Sequence, residues 1–181
     1  VKRGESANNA RVFPVACGTI GRKGESPTDV ASLIEAGACG ISDDGDGIAD
    51  DSIMDVILER VARADTCFMQ HCQDPLMTPG AAMNAGSLAM KLGLGGWPRE
   101  AETSMIQRDV RLNSRHGAKY HAQHLSCAES VEAIAKARQD GQPVRAEASP
   151  HHLLLTEDAC ADYDSVFKVN PPLRTAADIE A

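Results

Sequence analysis

Strand-like and helix-like segments alternate along this chain, interrupted at 75–98, and that cadence constrains the fold more than any other feature. Runs at 11–17, 38–45, 66–75, 119–125 and 143–149 are apolar and bounded by turn residues. Between them lie segments with helical signals. Ser26-Pro27-Thr28-Asp29 has the form of a helix start, with Ser as N-cap and Pro in the first turn. Asp50 or Asp51 opens a helix carrying Ile53, Val56, Ile57 and Val61 on one face. The stretch 98–116 reads as a helix through Ile106 and Val110, and Ser126-Cys127-Ala128-Glu129 has the capping-box spacing before Val131, Ile134 and Ala135. Residues 1–10 read as the end of a helix. Strict β/α alternation implies a parallel sheet covered by helices. Five strands fit either a (β/α) barrel lacking its ends or a small doubly wound sheet.

Length and composition narrow the choice. The chain has 181 residues, short of the roughly 200–250 that a complete (β/α)8 barrel needs, yet enough for one domain with a sizeable core. Only 3% of residues are aromatic and the net charge is −8, which argues against nucleic-acid partners. No apolar run is long enough to span a bilayer. Six cysteines form no C-x-x-C pair, which points to reduced thiols and the cytosol rather than a disulfide framework or a cysteine zinc site. The first residue is not Met and the last few look like a helix beginning, so both ends read as cuts.

Three of the strand-like runs end in metal-ligand chemistry. The run 66–75 delivers His71, the run 38–45 ends in Ser42-Asp43-Asp44-Gly45, and the run beginning at Lys119 leads to His124. Open α/β sheets and barrels keep their chemistry at the carboxyl ends of strands. One such histidine alone is ordinarily a hydrogen-bonded polar residue, whereas Asp, His and His from consecutive β/α units favour a metal. His121 is an odd step from His124 and faces the other side of a regular strand. Asp43 and Asp44 also point to opposite faces, and periodicity does not choose between them. His151-His152, just past a strand, reads as a rim pair bonded to backbone. Asn170-Pro171-Pro172 places an amide on a stiff turn, either as turn chemistry or as a hydrogen-bonding group for a polar substrate. The Gly- and Pro-rich stretch 75–98 is a long insertion at a strand end, suited to a lid or to a short extra helix around 82–92 packed on the rim.

The segments Ser42-Asp43-Asp44-Gly45, His71-Cys72-Gln73-Asp74-Pro75, Tyr120-His121-Ala122-Gln123-His124-Leu125-Ser126, Pro150-His151-His152-Leu153 and Lys168-Val169-Asn170-Pro171-Pro172-Leu173-Arg174 together resemble dihydroorotase, in particular the bacterial class I type of the amidohydrolase superfamily. The resemblance implies an α/β fold: a TIM-type (β/α)8 barrel, present here as about strands 3 to 7 in one partial domain over 1–181. It implies zinc, one or two per subunit, and interconversion of dihydroorotate and N-carbamoyl-L-aspartate in pyrimidine biosynthesis. Carried onto this sequence, it makes His71 and His124 zinc ligands, selects Asp44 as the bridging aspartate, and makes Asn170 a substrate contact. It further implies a cytoplasmic homo-oligomer with a small-molecule substrate and aspartate transcarbamoylase as a candidate partner.

The resemblance also has gaps. The family's first-strand His-x-His pair, its companion arginine and a second-strand asparagine have no counterpart here. The general-base aspartate falls beyond Ala181, so no catalytic base is assigned within the chain. Gln73 stands where the family usually has Glu. The 181 residues by themselves are therefore expected to be inactive. Two rival readings are a hydantoinase- or allantoinase-type amidase, which would need a carboxylated lysine where Asp44 stands, and a non-catalytic subunit scaffolding aspartate transcarbamoylase, which has no need of the retained ligands. A metal-free α/β binding domain is the plainest alternative.

Overall fold

A computed structural model of the chain describes residues 2–7 and 9–181. In order, the elements are α1 (Lys2–Ala7), β1 (Val15–Ala16), α2 (Val30–Glu35), β2 (Gly40–Ser42), α3 (Asp51–Arg63), β3 (Cys67–Gln70), β4 (Met83–Asn84), α4 (Ser87–Leu92), β5 (Gly96–Trp97), α5 (Glu100–Asn113), β6 (Lys119–Ala122), α6 (Ala128–Gln139), β7 (Val144–Ala146), α7 (Pro150–Leu154) and α8 (Ala176–Glu180), with short 3-10 turns at Ile20–Arg22, Glu157–Cys160 and Ser165–Phe167. The helix expected over 1–10 is present as α1; Val1 and Asn8 lie outside the described residues.

All five expected strands form, and they pair in parallel in the order β1-β2-β3-β6-β7. A doubly wound sheet reverses its strand order at a switch point. Here the order follows the chain without reversal, which is the arrangement of consecutive strands in a barrel wall. Of the two architectures open from the sequence, the barrel segment is the one found.

The core lies between the sheet and its helices. Ile41, Phe68, Tyr120, Ala122 and Val144 point from the strands to meet Ile57, Leu58, Val61, Ile106, Leu112 and Ile134 from α3, α5 and α6. Burial of a side chain such as Phe68, fully enclosed here, contributes about 1.5–3 kcal/mol. A parallel strand with both faces covered reads as a near-continuous apolar run. In β3 the alternation is instead Phe68 and Gln70 fully buried against the helices, with Cys67 and Met69 only half-buried on the other face. Gln70 and Tyr120 bring polar atoms into the core, where both reach the Asp109 carboxylate, at 3.2 and 2.8 Å. Burial pushes that carboxyl above its usual range, and Arg108 opposes the shift.

Helix starts differ in detail from their sequence signals. Asp50 caps α3 as expected, its side chain accepting from the amides of Ser52 and Ile53. The cap of α2 is Asp29 rather than Ser26, because Ser26 and Pro27 belong to a bridged loop (Thr19 against Pro27) that ends before the helix begins. The capping box at Ser126–Glu129 does not form. Cys127 occupies the N-cap without a side-chain bond, while Ser126 turns inward to Glu102 and Glu129 pairs with Arg99. The Asp178 carboxylate accepts from the Ala128 amide in its place. It is also held by Arg99 and Thr175, which keeps its carboxyl well below the usual range although burial acts in the opposite direction.

Candidate metal centre

The centre is built at the carboxyl ends of three neighbouring strands, β2, β3 and β6. His71 directly follows β3, whereas Asp44 and His124 each stand two residues beyond β2 and β6. The β3–β6 ladder pairs Gln70 with Ala122 and is prolonged by the Gln123 amide bonding to the Gln70 carbonyl, which sets the two histidines side by side. His124 has φ 36°, in the left-handed region that a non-glycine residue seldom occupies. Such strain is characteristic of functional positions. Beyond the strand, the alternation that separated His121 from His124 no longer governs direction, and His121 pairs with Glu147 at 3.1 Å away from the cluster.

His71 Nδ1 lies 3.1 Å from His124 Nε2. Asp44 Oδ1 is 3.5 Å from each of those nitrogens. Among the described residues this is the group of His, Cys, Asp and Glu side chains whose ligand atoms converge closely enough to hold a metal ion. The fit can be tested against coordination geometry. Two donors bound to zinc at about 2.0–2.2 Å with tetrahedral angles stand about 3.3–3.5 Å apart. The observed triangle, 3.1, 3.5 and 3.5 Å on its edges, is close to one face of that tetrahedron. Two imidazoles and a carboxylate are also the donor types that suit zinc. Burial lowers the pKa of His71, with a smaller contribution from His124, and favours the neutral imidazole that can act as a ligand.

Asp43 and Asp44 face different surroundings. Asp43 is buried and accepts from the amides of Gly18 and Thr19 and from the Thr19 hydroxyl, fastening the β1 loop. Asp44 is half exposed and faces both histidines. The loop carrying it is held close to His71 by Gly47, where an added Cβ would lie 2.3 Å from the Gln73 carbonyl oxygen. No larger residue fits at 47 without displacing the His71–Gln73 segment.

Asn170 reaches the same rim by a different route. It is exposed, joined to Pro171 by a cis peptide bond, and its Nδ2 lies 3.3 Å from Gln73 Oε1. His152 bonds the Pro171 carbonyl through Nε2 at 2.9 Å, as the backbone-bonded reading of the histidine pair expected. Arg174 is buried at the end of the same segment. Its Nε donates to Ser126 Oγ at 3.1 Å, and Nη1 donates to Asn84 Oδ1 at 2.7 Å and to the Trp97 carbonyl at 2.8 Å. Ser126 in turn donates to Glu102. Stretch 75–98 therefore contains the short helix α4 and a two-stranded parallel ladder, β4 with β5, and Arg174 pins both strands of that ladder to the rim. Sequence reasoning missed Arg174, Glu102 and Asn84 as a unit, because nothing in their spacing shows that three distant polar residues share one buried network.

Comparison with known proteins agrees with this architecture. A family model described as dihydro-orotase-like matches residues 2–130. The chain is 44% identical over 180 residues to the dihydroorotase of Leifsonia xyli subsp. xyli, covering 98% of this chain and 41% of that protein. It is 43% identical to that of Streptomyces coelicolor, covering 98% and 42% respectively. It thus spans about two fifths of the length of these curated relatives. Among solved structures, L-hydantoinase from Arthrobacter aurescens superposes with a TM-score of 0.76 at 21% identity, covering 99% of this chain and 42% of the other. A D-hydantoinase from Bacillus sp. AR9 gives 0.68 at 21% identity, covering 83% and 35%. At that identity the likeness carries the fold alone: part of a TIM-type barrel. With most of its length matched by the family model, the chain belongs to the dihydroorotase-like family.

Proposed function

We propose that the full-length protein is a zinc-dependent dihydroorotase, interconverting dihydroorotate and N-carbamoyl-L-aspartate in pyrimidine biosynthesis. The observation that carries this reading is the Asp44–His71–His124 triangle at the strand ends of a chain related to dihydroorotases along nearly its whole length. Asp44, His71 and His124 would hold the ion. When bound, zinc supplies Lewis acidity toward the amide carbonyl and makes water a competent nucleophile near neutral pH. The residues of this chain hold and aim. His71 presents Nδ1, His124 presents Nε2, and Asp44 supplies a carboxylate from the solvent side. Asn170, exposed on the same rim, offers an amide to the polar groups of the ring substrate.

Asp44 at the end of β2, where a hydantoinase-type amidase would need a lysine, favours dihydroorotate over hydantoins. We further propose that the full-length protein is a cytoplasmic homo-oligomer with aspartate transcarbamoylase as its candidate partner, a reading that rests on the family likeness. The test is turnover by the purified full-length protein with zinc, offered dihydroorotate and hydantoin separately. Consumption of dihydroorotate with little action on hydantoin is expected, and the reverse preference would overturn the assignment. In the same assay Asn170→Ala should retain its zinc while kcat/KM falls about 10- to 100-fold, the equivalent of one hydrogen bond to a polar or charged group. An unchanged kcat/KM removes Asn170 from the site.

A further inference from the structure

Gln73 stands between the candidate ligand His71 and the candidate substrate contact Asn170. Its Oε1 is 2.8 Å from His71 Nε2 and 3.3 Å from Asn170 Nδ2, and its Nε2 is 2.8 Å from Thr78 Oγ1. The orientation of the amide follows from its far end. The Thr78 hydroxyl donates its proton to the Asp74 carbonyl, 3.3 Å away, so toward Gln73 it can only accept. The NH2 group of Gln73 must therefore face Thr78 and the carbonyl oxygen must face His71 and Asn170. An oxygen accepts only, so His71 carries its proton on Nε2 and leaves the Nδ1 lone pair directed at His124 and Asp44. The backbone leaves little freedom for another arrangement: the Gln73 amide bonds the His71 carbonyl, the Asp74 amide bonds the Ala101 carbonyl, and Gly47 packs against the Gln73 carbonyl.

We propose that Gln73 is a positioning residue that fixes the His71 tautomer for metal binding, its Oε1 also accepting from the Asn170 amide. The inference rests on the metal reading above and deepens it. Hydrogen-bond partners of ligating histidines orient the ring and tune its basicity, and their loss ordinarily weakens metal binding 10- to 100-fold. A group that merely fills space would leave the imidazole tautomer unchanged on removal.

The test uses the full-length protein, Zn2+ alone as the probe, and competition against a chromophoric chelator. Gln73→Leu is expected to weaken zinc binding about 10- to 100-fold. In the metal-free protein, the 15N signals of the His71 ring should lose the Nε2–H signature. Gln73→Glu keeps the acceptor and the shape, so it should bind zinc at least as tightly as the wild type and retain that signature. Asn170→Ala should leave zinc affinity unchanged. Wild-type affinity and tautomer in Gln73→Leu would overturn the proposal. So would a tenfold or greater loss of affinity in Gln73→Glu, which decides the matter should the leucine variant not fold. Failure of the metal reading itself has a different signature: the wild type and His71→Ala would then bind zinc equally.

Discussion

His71→Ala in the full-length protein is expected to lose its bound zinc and to lower turnover of dihydroorotate by more than about 10³-fold, equivalent to several kcal/mol of transition-state stabilisation. The magnitude follows from the geometry. His71 Nδ1 is one corner of the donor triangle, and alanine leaves Asp44 and His124 without the third contact that closes it. His71 is also almost fully buried, so no neighbouring side chain can swing in to replace it. The fold should survive, because the ring's other nitrogen bonds only Gln73, which keeps Thr78 and Asn170 as partners. His124→Ala should behave in the same way. Full zinc content and normal turnover in either variant would refute the ligand assignment.

Arg174→Met is expected to destabilise the protein by about 2–4 kcal/mol, from the loss of buried hydrogen bonds made by a charged donor. Arg174 is 2% exposed and makes three hydrogen bonds, to Ser126, Asn84 and the Trp97 carbonyl. Methionine matches the stem in volume but leaves buried Asn84 Oδ1 without its donor and leaves the Trp97 carbonyl with the Ala85 amide alone. It also removes the donor to Ser126 Oγ, the hydroxyl that in turn donates to Glu102, itself 1% exposed. Lysine would be a poor substitute, since one ammonium cannot reproduce the fork that reaches β5, Asn84 and Ser126 together. Denaturant unfolding monitored through Trp97, which lies on the affected strand, reads the effect directly. A midpoint indistinguishable from wild type would mean that the network is not what holds the 75–98 stretch to the rim.

Much of this was legible in the sequence, for identifiable reasons. The five strands and the major helices announce themselves because apolar period and turn chemistry agree at most boundaries, as at Asp50 before α3. The positions of His71 and His124 at strand ends follow from that cadence alone. Direction beyond a strand end does not, because there the two-residue alternation stops applying. His124 turns into the cluster through a left-handed backbone that no sequence period encodes. The Asp43–Asp44 choice was likewise closed to periodicity, since it depends on the β1 loop supplying Gly18 and Thr19 as donors to Asp43. Ser126 misled as a capping box because the partner it takes, Glu102, lies on the preceding helix and is chosen by tertiary packing. Gln73 was visible as a residue and invisible as a connector.

The claim that Asp44, His71 and His124 form one metal centre is tested most directly by a crystal structure of the full-length protein with diffraction recorded at the zinc absorption edge. An anomalous peak is expected about 2.0–2.2 Å from an Asp44 carboxylate oxygen, His71 Nδ1 and His124 Nε2. Zinc bound by other residues, or no peak while His71 and His124 remain bonded directly to each other, would contradict it.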